Sequence, residues 1–118
     1  MPQGKRPRRG EIWWGNTPGR PTDPHQPRPM LIISVDARNH AVGHYLVIPI
    51  FTTARLGPTR VDLPKGMGGL SNDSVAVCDE ISVVEDEFLD FDGGPLGSPV
   101  SALHLERIVT ALHHAVNP

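Results

Sequence analysis

The stretch RPMLIISVD, Arg28 to Asp36, decides how this chain folds. Met30 to Ile33 is apolar without a break. A strand with one wet face alternates polar and apolar residues, whereas an unbroken run marks a strand covered on both faces, and so a central one. The run opens on Arg28, whose guanidinium is always charged. Burying such a group unpaired is expensive. Arg28 is therefore either a surface salt-bridge partner or a charge aimed at an anion.

On the N-terminal side, GEIWWG (10–15) is short, aromatic and bounded by glycines, which reads as a first strand. NTPGRPTDPHQP (16–27) holds four prolines in twelve residues and reads as a long loop, of the kind that is usually functional or disordered. On the C-terminal side, HYLVIPIFTT (44–53) reads as a third strand, with Pro49 marking a bulge or an edge segment. TRVDL (59–63) alternates as a shorter fourth, and GMGG (66–69) reads as a turn. SVAVCDEISVV (74–84) reads as one further strand, whose apolar stripe Val75, Val77, Ile81, Val83 is interrupted by Asp79. A carboxylate there needs a partner or a wet cleft. EDEFLDFDGG (85–94) reads as an acidic short strand or turn covering an edge.

The end of the chain, GSPVSALHLERIVTALHHAV (97–116), predicts a helix capped by Ser98 with Pro99 at its first position. Val100, Leu103, Ile108, Leu112 and Val116 recur near the helical period, with Leu105 and Val109 broadening the stripe. His104, His113 and His114 on this helix lack the carboxylates of a metal site and read as solvated or partly packed. The pattern predicts a mainly β (α+β) fold: a small, barrel-like, strongly bent sheet packed on one C-terminal helix. Residues 1–9 read as a flexible basic arm and 10–118 as a single domain.

Composition sets the bounds. At 118 residues there is room for one core and not two. A hydrophobic share of 38% with 13 Pro and 12 Gly is turn-rich, which suits short strands joined by loops. The single Cys78 excludes an internal disulfide and a cysteine cluster for zinc. No apolar run approaches the roughly 18–20 residues that span a bilayer. MPQGKRPRRG is basic with no apolar stretch behind it, unlike a secretory signal, so a soluble cytoplasmic protein is expected. The net charge of −2 hides an asymmetry: residues 1–60 carry nine Lys/Arg against three acids (+6), and residues 61–118 two against ten (−8). A basic half can meet a polyanion, because each neutralised phosphate releases counterions.

Taken in order, RRGEIWW (8–14), RPMLII (28–33), VIPIFTTARLGPTRVDLP (47–64) and LSNDSVAVCDEI (70–81) resemble the MazF/PemK (Kid-like) toxins of bacterial toxin–antitoxin pairs. The likeness runs over roughly residues 8–116. It implies a PemK/CcdB-like fold, a bent antiparallel sheet with a C-terminal helix, assembled as a homodimer. It also implies an endoribonuclease, free of metal and cofactor, that cuts single-stranded mRNA and is neutralised by a cognate antitoxin.

Metal-free cleavage of RNA uses the substrate's own 2′-OH as nucleophile and leaves a 2′,3′-cyclic phosphate and a 5′-OH. It needs a base for the 2′ proton, donors for the phosphorane charge and an acid for the 5′ oxygen; fixed donors are usually the largest of these contributions. The resemblance assigns Arg28 as the catalytic arginine, and a planar fork of donors suits a phosphoryl oxygen pair. Thr52 and Thr53 lie where the third strand runs out. Aligned from Pro49, the family's catalytic threonine falls on Phe51 and Thr52 takes the next position. Either a bulge turns Thr52 inward, or the site works without that hydroxyl, or activity is reduced, because a one-residue shift reverses the face of a strand. Asp23 stands where relatives carry a Glu, and Asp23, His25 or Asp79 is the candidate proton acceptor. Asp79 matches the acid of the family's CDQI stretch and Glu80 replaces its Gln, both as candidate RNA contacts, and Arg55 and Arg60 are candidate phosphate grips. Trp13 and Trp14 point to opposite faces of one strand: one belongs to the core, and the other stacks on a base or packs in an interface. Two further readings stay open: a non-catalytic RNA-binding member of the family, and a topoisomerase-poisoning toxin of the CcdB type.

Overall fold

A computed structural model describes residues 6–16 and 27–117. Six strands form one antiparallel sheet: β1 (Ile12–Gly15), β2 (Arg28–Ile32), β3 (His44–Phe51), β4 (Arg60–Leu63), β5 (Ser74–Val77) and β6 (Ser82–Glu85). Their order is β1-β2-β3-β5-β4, with β6 also paired to β3, so the sheet is bent but open. A short helix α1 (Asp36–Val42) links β2 to β3, and α2 (Ala102–Val116) follows the last strand.

The unbroken apolar run of β2 has a direct cause. Leu31 and Ile33 enter one core with Ile12, Ile48, Ile50, Leu63, Ala76 and Ile108, the side that α2 covers. Met30 and Ile32 enter a second core on the other face with Trp13, Tyr45, Val47, Val84 and Leu89. The sheet centre is buried on both faces, so polar alternation has no place in it. Trp13 is the core tryptophan, fully buried, and Trp14 is 40% exposed.

Pro49 lies inside the central strand, not at an edge. Along one side β3 pairs with β6 as far as Val47↔Ser82, and with β5 from Ile50↔Ala76 onward. The proline falls in the gap between those partners, where no ladder bond is asked of its missing N–H. The gap exists because 74–84 is not one strand. A 3-10 turn at Cys78–Glu80 divides it into β5 and β6. Asp79 thereby leaves the apolar stripe for the surface, where it accepts from the Thr59 hydroxyl.

One helix stands where the sequence reading placed no element, and two expectations for α2 need correction. The segment DARNHAV forms α1, closed by Gly43 at φ 70. It is held by a buried exchange in which Ser34 Oγ donates to Asn39 Oδ1 and Asn39 Nδ2 donates to the Ser34 carbonyl. The cap of α2 is Ser101 rather than Ser98, and its side chain accepts from the His104 N–H. The buried face of α2 is carried by Ile108 and Ala111, while Leu103, Val109 and Val116 are exposed. A helix whose first turn starts at Ala102 sets that phase.

The outer edge of β1 is covered by the acidic segment. The Asn16 N–H donates to Phe88, Asp90 to Trp14 and Leu96 to Ile12, each at a backbone carbonyl, and the bridges Gly15↔Leu89 and Trp13↔Pro95 line up beside them. This is edge protection by a returning loop. At the start of β1, buried Glu11 accepts from the Arg8 N–H and from the Trp13 indole. Arg9 Nε donates to the Ile33 carbonyl, tying the described end of the basic arm to the body.

Candidate active site

Arg28 begins β2 opposite Gly15 of β1. The β2–β3 register, Met30↔Pro49 to Ile32↔Val47, carried two residues back places Phe51 across from Arg28. Side chains directly opposite on one face of an antiparallel pair meet. These two do so face-on, with the guanidinium carbon 3.8 Å from the Phe51 ring centroid. Arg28 is only 7% exposed, and its Nη1 donates to the Ile50 carbonyl at 3.3 Å. Both contacts act on a charge that would be costly to bury without them.

β3 ends at Phe51, and the chain bends at Thr52 and Thr53. Strand alternation lapses there. Both threonines, with Phe51, therefore reach the same hollow as Arg28, a space of about 290 Å³ completed by Trp14, Pro27, Pro29, Ile50 and Ser74. No bulge follows Pro49: the register runs straight through, and it is the end of the strand that brings Thr52 to the hollow.

The remaining candidates are placed elsewhere or lie outside the described residues. Asp23 and His25 belong to the latter. Asp79 pairs with Arg60 at 3.6 Å, and Arg60 Nη1 donates to the Arg55 carbonyl. Arg60 lines a separate groove against α2 with Leu103, Glu106, Arg107 and His114. Asp79 is exposed and Glu80 half-buried. Beside the hollow, across Trp14 and Pro27, lies a cleft of about 420 Å³ whose charged lining is acidic, Glu87 and Asp90.

Two titrating groups are set by burial. Burial, with the nearby Asp79 charge, pushes the Cys78 thiol up to about 12. Burial, with a hydrogen bond to Asp86, pushes Tyr45 up to about 12 as well. Neither is ionised near neutral pH, so the one cysteine offers no thiolate nucleophile.

Phe51 and Ser74 enter the hollow without having been singled out as site residues by sequence, and Trp14, the tryptophan left to a base or an interface, lines it as well. The signal for Phe51 was the β2–β3 register, which needs the pairing and not only the two strands. Ser74 needs the further pairing of β5 with β3.

Fold and hollow together define a small α+β domain that presents a buried arginine and two hydroxyls at one strand end. The chain belongs to the PemK-like, MazF-like toxins of type II toxin–antitoxin systems, which it matches over residues 8–116. Among solved structures it is similar to an endoribonuclease in complex with its cognate antitoxin from a mycobacterial species, at 25% identity and TM-score 0.77, covering 96% of this chain and 98% of that one. It shares its fold with the Mycobacterium tuberculosis toxin MazF-mt6, at 23% identity and TM-score 0.73, covering 89% and 94%. The same holds for a chain of the MazE–MazF complex from Deinococcus radiodurans, at 22% identity and TM-score 0.71, covering 98% and 100%. No curated protein matches it in sequence. Among the described residues, no helix is long and apolar enough to cross a membrane.

Proposed function

We propose that this chain is a cytoplasmic toxin that cuts single-stranded mRNA at defined sequences without a metal ion, and that a cognate antitoxin neutralises it. The observation that carries the reading is Arg28 beside Thr52 and Thr53 in one hollow, large enough for a phosphate, in a member of a toxin family. In the reaction the 2′ oxygen attacks the adjacent phosphorus as a base takes its proton. The bond from phosphorus to the 5′ oxygen then breaks, and that oxygen gains a proton, leaving a 2′,3′-cyclic phosphate and a 5′-OH. Arg28 stabilises the extra negative charge of the phosphorane, and the Thr52 hydroxyl donates a further hydrogen bond. Asp23 or His25 is the proton acceptor. Thr53, Arg55, Arg60, Asp79 and Glu80 contact the flanking RNA. The active form is a homodimer, and the antitoxin covers the RNA-binding face.

One observation favours a second reading. Phe51, not a threonine, stands across from Arg28, which suits a member that binds RNA without cutting it. One experiment separates the two. Purified protein is incubated with mixed-sequence RNA in EDTA, and the ends are mapped. Defined cuts with 5′-OH termini, lost in Arg28→Ala, support the nuclease; retained RNA without cuts supports the binder.

A further inference from the structure

We propose that the cleft beside the hollow is a base-reading subsite: a guanine of the RNA strand lies there on Trp14, and the Glu87 carboxylate accepts its N1–H and N2–H. The inference rests on the nuclease reading of the neighbouring hollow and names the nucleotide that the site selects near the cut.

Trp13 and Trp14 leave β1 on opposite faces; with Trp13 fully buried, the Trp14 ring, 40% exposed, is the one turned to solvent. Trp14 and Pro27 line the hollow and the cleft of about 420 Å³ alike, so a strand with a phosphate in the first can turn a base into the second. The cleft does not suit the phosphate itself. Its charged lining among the described residues is Glu87 and Asp90, which repel the backbone. The occupant that fits is neutral, flat and rich in N–H donors, and a nucleobase has those properties. Stacking on an aromatic ring tolerates any base. A carboxylate does not, because it only accepts. Guanine alone presents two adjacent N–H donors, N1–H and N2–H, on its pairing edge. Adenine and cytosine set a lone pair beside the amino group, and uracil sets its one N–H between two carbonyls. The Asn16 side chain, also in the cleft wall, supplies an amide donor for the guanine O6. The backbone holds these groups in one frame. The Asp90 N–H donates to the Trp14 carbonyl and the Asn16 N–H to the Phe88 carbonyl, both at 2.9 Å. Gly15 permits that approach, since a Cβ there would stand 2.9 Å from the Phe88 carbonyl oxygen. Asp90 Oδ1 already accepts from the Gly93 N–H at 3.0 Å, which leaves the exposed Glu87 as the reader.

The test uses the full chain and RNA that cannot be cut. Short 2′-O-methyl oligouridylates, which lack the nucleophile, carry one guanine, inosine, adenine or cytosine, and their affinities are read by fluorescence anisotropy at one fixed salt concentration. Wild type should bind the guanine oligonucleotide roughly tenfold more tightly than the adenine, cytosine and all-uracil ones. Inosine, which lacks the 2-amino group, should lose several-fold of that gain. Glu87→Gln, at an exposed position, should bind all of them within about twofold of one another. The guanine oligonucleotide should also quench tryptophan fluorescence in wild type and not in Trp14→Phe, which retains only the buried Trp13. A lack of base preference in wild type, a guanine preference that survives Glu87→Gln, or a quench that survives Trp14→Phe overturns the inference. So does a Glu87→Gln variant that binds every oligonucleotide more tightly with the preference unchanged, since the acid would then only repel RNA. Cleavage of mixed-sequence RNA in EDTA separates this result from the nuclease reading. Cutting without a guanine preference leaves the nuclease and removes the subsite, whereas guanine-selective binding without cutting does the reverse.

Discussion

Gly66 and Gly69 belong to one turn and have nearly the same backbone, φ +94 and φ +89, yet an added methyl meets different surroundings at each. At Gly66 nothing lies within 4 Å; at Gly69 a Cβ would stand 2.3 Å from the Leu96 carbonyl oxygen and 2.7 Å from the Gly97 nitrogen. Both substitutions by alanine impose a left-handed conformation that costs about 1–2 kcal/mol. Only Gly69→Ala adds a collision with backbone, and that backbone is not loose, because the Leu96 N–H donates to the Ile12 carbonyl at 2.8 Å. Relief requires 96–97 to move off β1. Overpacking of this kind adds roughly 1–3 kcal/mol, so Gly69→Ala should cost about 2–5 kcal/mol against about 1–2 for Gly66→Ala. In a domain worth about 5–15 kcal/mol that separation is large. Urea unfolding of the two variants beside wild type measures it, with the slope checked for two-state behaviour. Equal losses in the two variants would refute the claim that the 96–97 segment is fixed against this turn, and with it the account of how the β1 edge is sealed.

Three shorter predictions test the core, the helix cap and the buried ionisable groups. Trp13→Ala should destabilise by about 3–5 kcal/mol, whereas Trp14→Ala should leave the thermal midpoint within a few degrees and instead weaken RNA retention in a filter-binding assay. Ser101→Ala should cost about 1 kcal/mol by loss of the cap while Ser98→Ala is silent, read from thermal unfolding; the reverse ranking would return the cap to Ser98. Cys78 and Tyr45 both have folded-state pKa values raised above their ordinary 9.0 and 10.0. The stability they contribute is therefore complete below about pH 9 and drains away as pH climbs toward 12, with Cys78 alone giving up roughly 2 kcal/mol by about pH 10.5. Urea midpoints measured across that range should fall less steeply in Cys78→Ala than in wild type; parallel curves would show that the thiol is not held in its neutral form.

Much of the fold was legible because burial on two faces leaves a mark that a single sequence carries. MLII in β2 could only be a central strand, and its neighbours followed from Gly, Pro and alternation. What failed to show has a common cause. Val75, Val77, Ile81 and Val83 keep strand alternation in the sequence across Asp79, although the chain turns there: Val75 and Val77 are buried, whereas Ile81 and Val83 are exposed and Val84 takes the core position of β6. Pro49 signalled an edge because a proline usually lacks a place in a central strand, and its actual shelter is the gap that this unseen turn creates. One local misreading thus produced the other. The seven residues of α1 show neither an apolar stripe nor a side-chain N-cap; they are helical because Ser34 and Asn39 satisfy each other beneath them, and that pairing is tertiary.

The candidate site divides along the same line. Arg28 stood out from its own neighbours: a fixed charge at the mouth of an apolar run is anomalous wherever it occurs. Thr52 and Thr53 stood out only as a strand end, and whether either reached Arg28 depended on where β3 stopped pairing. Parity alone would have turned Thr52 away, since Phe51 takes the position across from the arginine. The bend after Phe51 is what makes the hydroxyls and the ring neighbours instead of alternatives. A hollow built this way holds its cation through β-sheet register and its hydroxyls through a loop, so the two can vary separately. Shifting the register by one residue would remove the stack and leave the threonines at the rim, whereas altering the 52–59 loop would do the opposite. The stack on Phe51 therefore belongs to the sheet register and the hydroxyls to the loop, and a substitution at 51 and one in 52–59 test the two parts of the hollow apart.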